Sequence, residues 1–217
     1  MNLLNPMRRR VLRAALLASL GCAVLAPVHA AGQADAMPDA MILSLSNKVL
    51  DLIRSDKAIR AGDYEGVQKL VDEHIMPHVD FDKMTRMAVG RAWRSASAEQ
   101  RNALIAQFRT LLLRTYSGAL SKVTDHKASL RPSHGQDPNA TDVVVRTQVA
   151  PSQGEPIGLD YRLEKTDAGW KIYDLNILGV WLVDNYKNEF SSILNQDGID
   201  GLIRTLTQKN QKLAASK

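Results

Sequence analysis

The residues best spaced for chemistry are His74 and His78, four apart, with Asp72, Asp80 and Asp82 beside them. Imidazoles and carboxylates so grouped can hold a metal ion. Pro77 lies between the two histidines, however, and proline interrupts the regular helix that would align their rings. No metal site is assigned. His126 and His134 fall in turn-rich sequence and read as solvated. The chain has no Gly-x-Ser-x-Gly elbow and no phosphate-binding glycine loop. Asp174 sits next to Tyr173 in a strand-like stretch, while Asp160 alternates outward. Asp174 could act as an acid or base only if it were buried with a raised pKa. The single cysteine, Cys22, belongs to the leader, so the remainder has no disulfide, thiolate nucleophile or thiolate metal site.

The formal charge of +5 is equally uninformative about partners. Residues 1–30 hold Arg8, Arg9, Arg10 and Arg13 and no acids; without them 24 bases face 23 acids. The remaining bases are scattered, which argues against nucleic acid. The leader itself reads as a secretory signal peptide: arginines, an apolar run from Ala14 to Val28, and Val28-His29-Ala30 before Ala31. The apolar run is short for a membrane span. The arginine cluster weakly matches a twin-arginine export signal, and Ser19-Leu20-Gly21-Cys22 only partly matches a lipoprotein box. The expected organisation is a signal peptide over 1–30, a disordered lead-in over 31–38, one domain over 39–213 and a polar tail over 214–217, exported to the periplasm.

Apolar periodicity then defines the elements. Ile42, Leu45, Val49, Leu52 and Ile53 mark a first helix, broken at Gly62-Asp63. Val67, Leu70, Val71 and Ile75 mark a second, stopped near Pro77. Asp80 or Asp82 can cap a short third helix ending at Gly90. The next, from the Ser95–Glu99 cap region to about Leu120, carries Leu104, Ile105, Phe108, Leu111, Leu112, Thr115, Tyr116 and Leu120 on one face. Arg101, Gln107, Arg109 and Arg114 are expected to stay wet. Four strands follow, over 127–131, 142–149, 157–165 and 170–177, with alternation clearest at Leu159, Tyr161 and Leu163. One face is apolar and one wet, as in an antiparallel sheet covered on one side.

The stretch Gly169–Phe190 organises the whole. Its first half is strand-like; after Gly179, Leu182, Tyr186 and Phe190 recur at helical spacing. A strand that turns a corner into an amphipathic helix covers its own sheet. Asp197-Gly198 then separates two closing helices, the second with Ile199, Leu202, Ile203 and Leu206 inward. The class is α+β.

Several blocks together resemble the Mla-pathway phospholipid-binding family, soluble components of a Gram-negative lipid transport system also known as toluene-tolerance auxiliary proteins. They are Trp170-Lys171-Ile172-Tyr173-Asp174, Gly179-Val180, Tyr186, Phe190 and Gly198-Ile199-Asp200-Gly201-Leu202. Upstream, Asp80-Phe81-Asp82, Gly90-Arg91-Ala92-Trp93-Arg94, Ser97-Ala98-Glu99-Gln100 and Phe108 to Tyr116 are similar to its helical half. The match runs from Ala40 to Leu206. Trp181 stands where the family has a small serine, and Lys187 where it often has arginine.

The resemblance implies a helical half packed on a four-stranded, mainly antiparallel curved sheet, closed by two C-terminal helices. In outline this is like the nuclear transport factor 2 fold, with a deep apolar cavity for glycerophospholipid acyl chains. It implies cargo rather than a cofactor, no catalytic residue, and a monomer that shuttles lipid between an outer-membrane lipoprotein complex and an inner-membrane ABC transporter with its MCE-type subunit. Such a system maintains outer-membrane lipid asymmetry. Hiding acyl chains is favourable by about 0.8 kcal/mol per methylene, so release requires contact with a partner.

The expected cavity walls are Leu104, Phe108, Leu111, Leu112 and Tyr116 from the long helix, and Val143, Val145, Leu159, Tyr161, Leu163, Ile172, Ile177 and Val180 from the sheet and its corner. Leu182, Tyr186, Phe190, Leu202 and Leu206 complete them. Lys171, Lys187 and Arg204 are candidates for headgroup contact, and the surface around Arg91, Arg94 and Arg101 for docking. By apolar periodicity alone the same residues would make a filled core. An isomerase-like enzyme and a ligand-free interaction module therefore stay open.

Overall fold

The computed structural model describes residues 37–216 apart from positions 121, 124, 133–136 and 138. The leader, its cleavage site and His134 lie outside the described residues. Helix α1 (Pro38–Ser55) starts on a proline, which suits a first turn with no amide acceptor, and buries Ile42, Leu50 and Ile53. Asp56 accepts the amides of Ala58 and Ile59 to start the short α2 (Lys57–Arg60). Asp63 caps α3 (Tyr64–Leu70) in the same way. Beyond α3 the helix loosens into a π turn at Val71–Ile75 and tightens into a 3-10 turn at Met76–His78 around Pro77.

Of the two candidate caps for α4 (Phe81–Val89), Asp80 is the one used: it accepts the Lys83 amide at 2.8 Å. Gly90, at φ 67°, ends the helix in a conformation that a side chain would resist. A 3-10 turn (Gly90–Ser95) leads to α5 (Ala98–Leu120). Ser97 and Gln100 form a reciprocal capping box there: the Gln100 amide donates to the Ser97 hydroxyl and the Ser97 amide to Gln100 Oε1.

The sheet has five strands in sequence order: β1 (Lys127–Leu130), β2 (Asp142–Ala150), β3 (Ile157–Thr166), β4 (Gly169–Ile177) and β5 (Val180–Trp181). All neighbours are antiparallel. The sequence predicts four strands; β5 was missed because two residues after Gly179 are too few to show alternation. A bulge sets Leu163 opposite Ile172 and Arg162 opposite Asp174, with Tyr173 as the extra residue. Val79 adds an isolated parallel bridge to Ile172, which ties the entry to α4 to the edge of β4.

Helix α6 (Leu182–Ala215) is bent at Gly198, whose φ of 64° and ψ of −165° are non-helical, so it acts as the two closing helices anticipated. Its second arm runs two residues into the expected tail. The principal core joins α4, α5 and both arms of α6 through Phe81, Met84, Leu104, Phe108, Leu111, Phe190 and Leu202. A second cluster packs Ile42 of α1 on Val143, Val145, Leu163 and Ile172 of the sheet. A third packs Ile53 and Ile59 against Val67 and Leu70 of α3. The polar residues of α5 are less wet than expected: Arg109 pairs with Asp72, Arg114 lies 4.5 Å from the Tyr64 ring centroid, and Gln107 accepts from Asn210.

Candidate functional site

Phe108 is the centre of the helical core. Its ring meets Phe81 at 5.6 Å, Tyr186 at 4.9 Å and Phe190 at 5.3 Å, the last two nearly edge-to-face. These are favourable aromatic geometries. Burial, with the Tyr116 and Glu189 side chains nearby, pushes the Tyr186 phenol up to about 12, against a hydrogen bond with Thr115. Leu104, Leu111, Leu182, Leu202 and Leu206 are buried in the same cluster, and Leu112, Tyr116 and Ile177 pack half-buried against it.

The apolar face of the sheet divides in two. At one end Val143, Val145, Leu163 and Ile172 are fully buried beneath α1. At the other, Leu159, Leu175 and Ile177 are only half-buried, although they share that face: Leu159 pairs with Ile177 across the strands, while Tyr161, opposite Leu175, packs on the α1 cluster between the two ends. Leu112 and Tyr116 of α5, with Leu175 and Ile177, touch the helical core from that end. A partly covered aliphatic surface flanked by a fully packed one is where an apolar ligand gains most from contact. Thr147, in the same face, keeps its hydroxyl occupied by donating to the Leu159 carbonyl at 2.7 Å. The Tyr161 phenol is pushed up by burial, against hydrogen bonds with Ser46 of α1 and Thr147. Val180, 50% exposed on β5, stands apart from this set.

The opposite face is polar and structurally committed. The Asp174 side chain, wholly buried, accepts the amides of Leu175 at 2.8 Å and Val183 at 3.0 Å, and Arg162 Nη1 at 2.9 Å. Burial raises its pKa against those donors. With its oxygens engaged by backbone and Arg162, it serves as a cap for α6 rather than as a free base. Arg162 also reaches Asp184 at 3.5 Å and lies 4.0 Å from the Trp181 ring centroid. Trp181 is thus stacked on a cation at the strand-to-helix corner. Asp160 is ion-paired with Arg131. Lys83 pairs with Glu164 and stands 3.8 Å over the Tyr173 ring, whose hydroxyl donates to Asp142.

The histidine region is committed too. Asp72 is turned to Arg109, and Asp80 caps α4. Partial burial, with Lys171 and Lys48 nearby, lowers the His78 pKa, an environment that opposes a second cation. Among the described residues no three histidine or acidic groups are placed to hold a metal. Beside this region an open cleft of about 380 Å³ is lined by Met76, Val79, Asp80, Phe81, Asp82, Thr166 and Lys171. Of the headgroup candidates, Lys171 donates to the Pro77 carbonyl at 2.6 Å, whereas Lys187 and Arg204 are exposed. Among the described residues no hydrogen bond or ion pair brings them together with Lys171.

Sequence reasoning missed Leu175 as part of the half-covered end, and missed the capping role of Asp174 and the bridging role of Arg162. Only the register could have found them, because the bulge at Tyr173 shifts which residues of β4 face inward.

The family model described as MlaC protein matches residues 43–208. An intermembrane phospholipid transport system binding protein from Haemophilus influenzae is 24% identical over 178 residues, covering 81% of this chain and 83% of that one. A phospholipid-binding protein from Ralstonia solanacearum, solved in complex with a phospholipid, superposes with a TM-score of 0.79 at 40% identity. That match covers 82% of this chain and 99% of the other.

Proposed function

This chain belongs to the MlaC family, and from that premise we propose that it is a periplasmic carrier that holds glycerophospholipid by its acyl chains. In this reading it passes lipid between an outer-membrane lipoprotein complex and an inner-membrane ABC transporter with an MCE-type subunit. It acts as a monomer, without cofactor or catalytic step. The observation that carries the reading is the phospholipid held by a relative of 40% identity that spans almost the same fold.

The half-covered end of the sheet supplies the physical support. Leu159, Leu175 and Ile177, with Leu112 and Tyr116 half-buried on the helical core beside Leu175 and Ile177, offer a surface that acyl chains would complete. The Phe108 cluster and the α1–sheet cluster form stiff walls on either side. Each buried methylene contributes about 0.8 kcal/mol, so a loaded carrier keeps its cargo until a partner opens a path. The phosphate then lies toward solvent; of the three candidates Lys187 and Arg204 are exposed and, among the described residues, in no ion pair. The leader supports the exported location.

Native mass spectrometry of the exported protein, purified without detergent from a Gram-negative periplasm, tests the proposal. A uniform added mass that extracts into organic solvent as glycerophospholipid is expected. A clean unliganded mass would overturn it in favour of a ligand-free interaction module.

A further inference from the structure

Along β3 the covering of the apolar face changes in one step. Leu163 and Val145 are wholly buried in the cluster beneath α1, whereas Leu159 on the same face is half-buried. Tyr161 stands between Leu163 and Leu159 on the strand, opposite Val145 on β2 and Leu175 on β4. Its strand is the middle one of the sheet, paired on both sides, so its backbone has little room to shift.

The side chain is held at its far end as well. The phenol is buried and hydrogen-bonded with Ser46 of α1 and Thr147 of β2. Thr147 already donates its hydrogen to the Leu159 carbonyl at 2.7 Å, so toward the phenol it can only accept. The phenol therefore donates to Thr147 and accepts from Ser46, which ties the ring to a helix and to a neighbouring strand. A ring fixed at both ends is a rigid partition. Behind it Ile42, Val145 and Leu163 are wholly buried, and ahead of it Leu159 and Leu175 keep part of their accessible surface. Tyr161 is itself only half-buried although its hydroxyl is enclosed, so part of the ring borders the uncovered side.

We propose that the Tyr161 ring is the inner stop for the acyl chains of the cargo, and so sets the longest chain that the protein can cover completely. The inference rests on the carrier reading and gives that same surface a selectivity for acyl length. A chain that ends at the ring is fully out of water. A longer one meets packed residues beyond the ring and must leave its last methylenes exposed, which forfeits about a fourfold factor in affinity for each. Removing the ring differs from removing an ordinary core side chain. The space it leaves opens onto the uncovered side, where a chain end can fill it instead of a closed void remaining.

The test incubates the exported protein with vesicles of phosphatidylglycerols of graded acyl length and reads the bound species by native mass spectrometry. Wild-type binding is expected to fall off beyond one chain length. In Tyr161→Ala the ratio of longer to shorter lipid should rise by at least about fourfold, the value of one further methylene. Tyr161→Phe keeps the ring and should keep the wild-type profile. Ile53→Ala, a fully buried position in the cluster of α1, α2 and α3, controls for general loosening and should keep it too. Because a void in β3 can prevent folding, Leu159→Phe carries the converse test: a ring added on the uncovered side of the stop should shift the profile toward shorter lipid. A wild type with no length limit would overturn the stop and leave the carrier intact. So would an unchanged ratio in whichever of Tyr161→Ala and Leu159→Phe folds and carries lipid, or a Tyr161→Phe profile shifted as far as that of Tyr161→Ala. A wild type that takes no lipid at all overturns the carrier, and the stop with it.

Discussion

The backbone amide of Val183 donates to Asp174 Oδ1 at 3.0 Å, so a carboxylate on β4 caps the first turn of α6. Trp181, at the N-cap position of that helix, makes no side-chain cap bond of its own. Asp174→Ala removes the cap and strands Arg162 beside a void, and should cost about 3 kcal/mol in urea unfolding. The pH dependence has a definite sign. Burial raises the folded-state pKa of Asp174, so the folded protein holds this proton more tightly than the unfolded chain does. Its contribution therefore grows as pH falls from the raised pKa toward the ordinary aspartate value of about 3.9. The stability of wild type relative to Asp174→Asn should rise across that window; a gap that stays constant or narrows would contradict the burial assignment.

Phe108 is fully buried and touches three other rings. Phe108→Ala should therefore destabilise by about 3–5 kcal/mol. Phe108→Leu should cost less than half as much, because the aliphatic chain refills part of the space. Chemical denaturation of both variants checks the ratio. Equal losses would mean that edge-to-face geometry, rather than volume, holds the α4–α5–α6 junction.

Much of this was legible in the sequence where one element carries the signal alone. The stripe Leu104, Phe108, Leu111 and the series Leu182, Tyr186, Phe190 repeat over enough turns to show their inner face, and all six are buried. Asp80 and Gly90 mark the ends of α4 by local chemistry. What was not legible depends on pairing between elements. The bulge at Tyr173 turns Asp174 to the polar face and Leu175 to the apolar one, and no local pattern announces it. Likewise Val180 looks like a wall residue beside Leu182, yet the two-residue β5 leaves it half exposed. The half-covered end of the sheet is a property of what α1 fails to reach, which only the assembled fold displays.

Leu178 is the non-glycine residue with positive φ, 52°, among the described residues, and it is 69% exposed. Its side chain gains little from packing there, while the left-handed backbone costs about 1 kcal/mol for an L-residue with a Cβ. Leu178→Gly should therefore leave stability unchanged or raise it by up to about 1 kcal/mol, despite the added freedom of the unfolded chain. Thermal unfolding is the measurement. A loss beyond 1 kcal/mol would show that Leu178 makes a contact in solution that its exposure does not suggest.

The half-covered end of the sheet makes the sharpest demand on the carrier reading. Leu159 is half-buried on the apolar face of β3, whereas Val180 is half exposed on β5, and both were expected as wall residues from sequence. A carboxylate among acyl chains must be desolvated without a partner, which is strongly unfavourable; at a solvent-facing position it costs almost nothing. Leu159→Glu should therefore purify without bound lipid while losing only about 1–3 kcal/mol of stability, and Val180→Glu should keep both its lipid and its stability. Native mass spectrometry and urea unfolding of the pair read the two effects separately. If both variants lose lipid, the binding surface extends over β5 and the corner at Trp181. If neither does, the acyl chains do not lie against β3, and the half-covered surface is not the seat of the cargo.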